Sequence, residues 1–418
     1  MQGPLLLISG SGRARGTALL DGECAFPVIE VAWREAREAL QTVRPVAVLA
    51  ENGAQYGPDF AALVQTAAES RPYLPVIALG DGSDADPDPL TALPLAAPAA
   101  LLPDIAARRL RARLSSALRV RALHDTVLRR SGETRPFDAA WQSDPLDDAA
   151  IVLAGRGASY PALSLAAGSR VGVVGAFSIE VAAKHLNGRD LDGVILAEGF
   201  SPRVADAFLT VLAEDARFRN LPVIVAGELA GVAEDYGLPN FEIVTGEASR
   251  VVTMALPLIR QQAFAARLAR ALTSLAAGGL LDPRTGLMTP EAFARDLTQV
   301  VTDAARRGTS LTVARFAFDS SHERASFEAA RILSRLMRRA DFAARFADHA
   351  VVVAFGQTEL RTAETIARRL SSVLKHTLTG ADGRKRLTPA VTLASLRPGD
   401  TARALLDRLN AEPQRAAS

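Results

Sequence analysis

One feature constrains the possible folds of this chain more than any other: part of the chain occurs twice. The stretch PVAVLAENG (45–53) is close to DGVILAEGF (192–200). LPVIALG begins at Leu74, 25 residues after Leu49, and LPVIVAG begins at Leu221, 25 residues after Leu196. The steps from Leu49 to Leu196 and from Leu74 to Leu221 are both 147 residues. Apolar runs that agree in sequence and in spacing mark a duplicated unit. Within each copy these runs do not alternate, as suits strands buried on both faces of a parallel sheet. In the first copy they are LLLIS (5–9), PVAVLA (45–50) and LPVIAL (74–79). In the second they are AIVLA (150–154), RVGVVGA, GVILA (193–197), LPVIVA and FEIVTG. Helical patterns such as AWREAREALQTV and FAALVQTAAES lie between them, so each copy is expected to be an α/β doubly wound domain.

Each copy ends in a long, arginine-rich amphipathic pattern, DIAARRLRARLSSALRVRALHDTVLRR and then ASRVVTMALPLIRQQAFAARLARALTSL. SGETRPFDAAWQSDPLDD (131–148), polar with two prolines, reads as the linker. At 418 residues the chain has room for two to four domains of roughly 100–200 residues. Its 48 basic and 46 acidic residues leave a formal charge of +2, so nothing in the overall charge marks a nucleic-acid binder. Only Lys184, Lys375 and Lys385 are lysines. Cys24 is the one cysteine, so neither an intrachain disulfide nor a cysteine metal cluster is expected, which fits a reducing cytoplasm. The opening MQGPLLLISGSGRARG has no basic stretch before its apolar run and does not read as a signal peptide. No segment reaches ~18 clean apolar residues, so no membrane span is expected.

The two copies, residues 1–130 and 149–265, resemble bacterial receiver domains in strand order, in the LPVI fourth strand and in the RFRNLPVI approach to it. That family phosphorylates an aspartate at the end of strand three, with an acidic pair after strand one holding Mg²⁺ and a lysine contacting the acyl phosphate. Neither copy has this set. The strand-three ends read Ala50-Glu51 and Ala197-Glu198, and strand one is followed by Gly10-Ser11-Gly12 and Gly155-Arg156-Gly157. The Lys-Pro place holds Ala97-Pro98 in the first copy and falls near Gly246-Glu247 in the second. The resemblance therefore implies pseudo-receivers that do not accept phosphate. Glu51 and Glu198 are either fixed carboxylates standing in for a charged aspartate or, the ordinary reading, solvated loop glutamates.

Residues 275–410 resemble the GGDEF domain of diguanylate cyclases. GGLLDPRTGLMTPEAFARDL carries Asp282, Thr285, Gly286, Leu287 and Phe293 of the family's opening motif, with Thr289-Pro290 in place of Asn-Arg. LTVARFAFD (311–319), RILSRLMRRADFAARFADHAVVVAF (331–355), RTAETIARRLSSVLK and LTPAVTLASL follow in the family's order. The catalytic positions differ. Ala317 stands where a metal-binding aspartate is expected, with Asp319 in the second place, and the signature itself reads Ala347-Asp348-His349-Ala350-Val351. Mg²⁺ requires oxygen ligands, and alanine and imidazole are poor substitutes. The nucleotide-reading segment is shortened to SSHERASFEAAR and has no lysine. The resemblance thus implies a degenerate GGDEF domain that is not an enzyme. His322 and His349 without a third ligand make no metal site, and His349 reads as a solvated turn residue.

The family's product-binding motif, R-x-x-D, reads Arg338-Arg339-Ala340-Asp341, with five residues before the degenerate signature. R-x-x-D also starts at Arg135, Arg189, Arg203, Arg345 and Arg397, and only the Arg338 copy has the family's spacing. Arg369, 18 residues past Val351, matches a second arginine of that site. Arginine can donate a bidentate pair to guanine or phosphate, and aspartate can accept from the guanine N1–H and exocyclic amine. The alternative is a helix-terminal ion pair that binds nothing. Two receiver-like domains before a degenerate GGDEF domain resemble the PopA type and, less closely, the PleD type of alphaproteobacterial response regulator. That resemblance implies a cyclic di-GMP effector and adaptor in cell-cycle control. It further implies a homodimer through the receiver-like domains, and recruitment of regulators to a protease at the cell pole. The competing readings are a ligand-independent dimerising scaffold and a residual cyclase.

Overall fold

The computed structural model describes residues 3–10, 20, 26–51, 57–80, 92–96, 103–131, 143–227, 233, 235–307, 309–319, 323–338, 341–378 and 386–411. The apolar runs of the first copy become β1 (Leu5–Ser9), β2 (Val28–Ala32), β3 (Ala47–Glu51), β4 (Val76–Gly80) and β5 (Ala92–Ala96). Between and after them come α1 (Ala36–Val43), α2 (Gly57–Glu69) and α3 (Pro103–Ser131). The second copy has β6 (Ala150–Ala154), α4 (Tyr160–Gly168), β7 (Gly172–Ala176), α5 (Ile179–Gly188), β8 (Gly193–Leu196) and α6 (Pro202–Glu214). It closes with β9 (Val223–Ala226), β10 (Phe241–Val244) and α7 (Ala248–Ala276).

The sheets run β2-β1-β3-β4-β5 and β10-β9-β8-β6-β7. Counted within each copy, both orders are 2-1-3-4-5, the flavodoxin-like doubly wound order. Alternation along buried strands sorts the side chains to two faces. Leu6, Ile8, Val48 and Ala50 pack with Leu40 of α1 and Leu63 and Val64 of α2. Leu5, Leu7, Leu49 and Ile77 pack with Leu110 and Leu114 of α3 and with Leu258 of α7. Apart from Gly172–Val174 of β7, the two sheets belong to one compact unit (Met1–Gly132, Asp144–Arg170, Gly175–Leu268). The second unit comprises Glu133–Ser143, Val171–Val174 and Ala269–Ser418.

The end of the expected linker is built into the fold. Pro145–Asp148 forms a short 3-10 turn capped by the Asp144 side chain, which accepts from the Leu146 amide. Asp148 is buried and pairs at 2.6 Å with the equally buried Arg267 of α7. The remainder of the linker, 132–142, lies outside the described residues, as do Ala97-Pro98.

The third domain has a different sheet. Its elements are α8 (Pro290–Arg307), β11 (Leu311–Ala317), α9 (Glu323–Leu336), β12 (Phe342–Arg345), β13 (Ala350–Gly356), α10 (Leu360–Thr377), β14 (Ala390–Ser395) and α11 (Ala402–Ala411). The strands run β12-β13-β11-β14, and every neighbouring pair is antiparallel. Ala314, Phe316, Val351, Val353 and Phe355 face α9 and α10. Val313, Val352 and Ala354 face Phe293 and Leu297 of α8 and Leu405 of α11. The opening motif is a turn whose residues hold one another. Thr285 Oγ1 donates to Asp282 at 2.6 Å, the Arg284 amide donates to the same carboxylate, and Gly286 has φ +74°. That left-handed backbone favours glycine. Thr289 caps α8 through the Ala292 amide, with Pro290 at the first helical position. Among the described residues, no helix is long and apolar enough to cross a membrane.

Candidate functional site

Helix α9 ends at Leu336, and Met337, Arg338 and Asp341 carry the chain towards β12. The turn is tied by its own polar groups: the Asp341 amide donates to the Arg338 carbonyl at 3.0 Å. The Arg338 amide in turn donates to Asp341 Oδ2 at 3.4 Å. On α10, Ile366, Arg369, Leu370 and Val373 stand at i, i+3, i+4 and i+7, one face of a helix. Together these segments enclose a cavity of about 150 Å³, lined by Leu336, Met337, Arg338, Asp341, Phe355, Ile366, Arg369, Leu370 and Val373. The three residues singled out by spacing thus line one cavity, 31 positions apart at the extremes (369 − 338). Arg339 and Ala340, the middle of the motif, lie outside the described residues.

The cavity is apolar below and charged at the rim. Phe355 and Leu370 are buried, whereas both arginines are exposed. Neither guanidinium forms a close ion pair among the described residues, although the Arg338 charge acts on Asp341. Burial pushes the Asp341 carboxyl above the usual carboxylate range, partly offset by the Arg338 and Gly356 amides and the Arg338 charge. A carboxylate has about four acceptor positions, so two amides leave capacity for a further donor. A cavity near 150 Å³ holds about one compact ring system, and the rest of a larger ligand would stay outside. Two donor forks, one carboxylate and an apolar floor suit a flat, hydrogen-bonding, anionic ligand.

The degenerate signature sits at the opposite end of β13 from Phe355. Strand register sets Ala317 against Ala350 on one side and Ala390 on the other, so the Ala317 and Ala350 of the sequence reading stand side by side. Asp319 is exposed just beyond β11. The β12–β13 turn places His349 at φ +59°, and Arg315 pairs with Asp348 at 2.7 Å. His349 is half-buried rather than fully solvated, and its Nδ1 is buried without a hydrogen-bond partner among the described residues. His322 lies outside the described residues. Among the described residues, no group of three His, Cys, Asp or Glu is placed to hold a metal.

Of the two strand-three glutamates, Glu51 departs from the solvated reading and Glu198 matches it. Glu51 is the last residue of β3 and is buried, its carbonyl accepting from Trp33 Nε1 at 3.2 Å. Glu198 is exposed but engaged. Its Oε1 accepts from the Ser159 amide at 2.8 Å, and that bond holds its carboxyl below the usual range. Its side chain lies over Gly157, where a Cβ would come within 1.9 Å of Glu198 Cγ.

Sequence reasoning missed the apolar lining. The signal was present in the i, i+3, i+4, i+7 pattern of α10, but such a stripe looks the same whether it faces a core or a cavity.

No protein-family model and no curated protein matches the chain. Solved structures do. The coiled coil and GGDEF domain of DgcB from Caulobacter crescentus, in complex with c-di-GMP, is 18% identical with a TM-score of 0.31, over 35% of this chain and 85% of that one. A sensory box/GGDEF family protein from Caulobacter crescentus is 22% identical with a TM-score of 0.29, over 33% of this chain and 97% of that one. The GGDEF domain of FimX from Pseudomonas aeruginosa is 19% identical with a TM-score of 0.29, over 31% and 89%. The chain is distantly similar to GGDEF domains over part of its length.

Proposed function

We propose that this protein is a catalytically inactive effector that binds cyclic di-GMP in the cavity between the end of α9 and α10. One observation carries the reading: Arg338, Asp341 and Arg369, carried over from the resemblance to GGDEF domains, line a single cavity. In this reading one guanine enters over Phe355 and Leu370, Asp341 accepts from its N1–H and amine, and the arginines hold O6/N7 and a phosphate. The inactive reading is supported by Ala317 and Ala350, paired across the sheet, and by His349 beside them, none of which offers Mg²⁺ a side-chain oxygen. The pseudo-receiver reading of both copies is supported by Ala50 and Ala197, each directly before a glutamate where strand three ends, and by the absence of an acidic pair after β6. The adaptor role in cell-cycle control, with protease recruitment at the cell pole, rests on the resemblance in domain order alone.

Calorimetric titration of the full chain with cyclic di-GMP tests the reading. Saturable binding by wild type, weakened in Arg338→Ala and unchanged in Arg203→Ala, is the expected result. Equal affinities for the two variants, or no binding at high micromolar ligand, would replace the effector with a ligand-independent scaffold.

A further inference from the structure

The arginine-rich stripe of α3 has a use that neither the repeat nor the cavity explains. Arg109, Arg113 and Ser116 recur at i, i+4 and i+7, on one face of the helix. That face meets the second copy. Arg109 Nη2 donates to Glu242 Oε2 at 2.7 Å and to the Phe241 carbonyl at 2.9 Å. Arg113 Nη2 donates to Glu242 Oε1 at 2.9 Å, and its Nε to the Pro239 carbonyl at 2.6 Å. Asn240 Nδ2 reaches Ser116 Oγ at 3.4 Å. The third arm of Arg113, Nη1, donates to the carbonyl of Pro94 in β5. One guanidinium therefore joins β5 and β10, each an edge strand of its sheet. The cluster is dry: the side chains of Arg113 and Glu242 are each 1% exposed.

Further along the two C-terminal helices the pairing continues with apolar groups. Leu258 of α7 enters the core of the first copy beside Leu110, Leu114 and Ala117. Phe264 meets His124 and Tyr73 edge-on, with centroids 5.2 and 5.7 Å away. Edge strands carry unpaired backbone groups that recruit other chains unless covered. Here α3 of the first copy covers β10 of the second, and Leu258 of the second copy packs in the cluster that holds Leu93 and Leu95 of β5.

We propose that Arg113 and Glu242 lock the two copies into one permanently paired, cooperatively unfolding body. The α3/β5/β10 face, through which a single such domain could meet a second copy of the chain, is then occupied within the chain. A charge buried to this degree is strongly unfavourable without its partner. The pairing is therefore constitutive rather than a response to phosphate or ligand, and homodimerisation through this face is ruled out.

Hydrogen exchange of the full chain tests this. Glu242→Gln keeps the shape and removes the charge. Exchange of peptides from α3 and from β10 should accelerate by one common factor, about tenfold or more, as a single opening. Peptides from β11 and β13 should not change, nor should anything in the exposed control Glu247→Gln. If Glu242→Gln does not fold, Arg109→Gln, which leaves the Arg113–Glu242 pair intact, should give a smaller common acceleration. Acceleration of β10 without α3, or no acceleration in either, would overturn the lock.

Discussion

Lowering the pH should weaken the paired unit through one side chain, His124. Its Nδ1 accepts from the Tyr73 amide at 2.9 Å, and the ring is buried against Phe264. Protonation would remove the acceptor and leave a buried cation beside Arg71 and Arg121. Burial, then these two arginines, lower its pKa to about 4 from an ordinary 6.5, against a small opposing effect of Asp125. The folded pKa lies below the unfolded one, so as pH falls the unfolded chain takes up the proton first. The contribution of His124 is therefore complete above 6.5 and is lost progressively between 6.5 and about 4. Integrating proton uptake over that window gives a loss of about 2 kcal/mol between roughly pH 7.5 and 5. His185, also lowered to about 4, is only half-buried and adds less, and it is present in both proteins compared. The assay is urea denaturation at the two pH values, in a Trp141→Phe background so that Trp33, buried in the first core, supplies the tryptophan fluorescence. His124→Asn, which keeps an acceptor near Nδ1, should lose about 2 kcal/mol less than the parent over the same interval. Equal pH dependence in the two proteins would refute the reasoning.

Further expectations follow from single side chains. Asp148→Ala leaves Arg267 buried without its carboxylate, and by analogy with broken buried pairs should cost about 3–5 kcal/mol, read by chemical denaturation. Phe355→Ala empties the floor of the cavity and should destabilise the third domain by about 3–5 kcal/mol, read by calorimetry. Intact mass should be unchanged after incubation with acetyl phosphate and Mg²⁺; a phosphate increment mapping to Glu51 or Glu198 would contradict the pseudo-receiver reading. Incubation with GTP and Mg²⁺ should yield no cyclic di-GMP above a no-protein control.

The repeat at 147 residues was enough to foresee two parallel sheets of equal order, because strands buried on both faces leave a continuous apolar signature. Long-range polar pairing left no such mark. Nothing local in FEIVTG shows that Glu242 would be buried and met by arginines 133 and 129 positions away. Glu51 was misjudged for a related reason: a carboxylate at a strand end looks like a loop residue until its burial is known. The linker ended earlier than its polarity suggested, since Asp148 is buried and pairs with Arg267. In the third domain, spacing to the degenerate signature picked out Arg338 and Asp341 from six copies of the motif, and the fold brought Arg369 beside them.

Whether the cavity reads guanine is tested most directly by comparing cyclic di-GMP with cyclic di-AMP, titrated into wild type and into Asp341→Ala. A hydrogen bond to a charged group contributes about 1.5–3 kcal/mol, and 1.4 kcal/mol is about a tenfold change in affinity. Wild type should therefore prefer the guanine ligand by roughly 10- to 100-fold, and Asp341→Ala should lose most of that preference while Arg338 and Arg369 still hold the phosphates. Equal binding of the two ligands by wild type, or a preference that survives Asp341→Ala, would contradict the account.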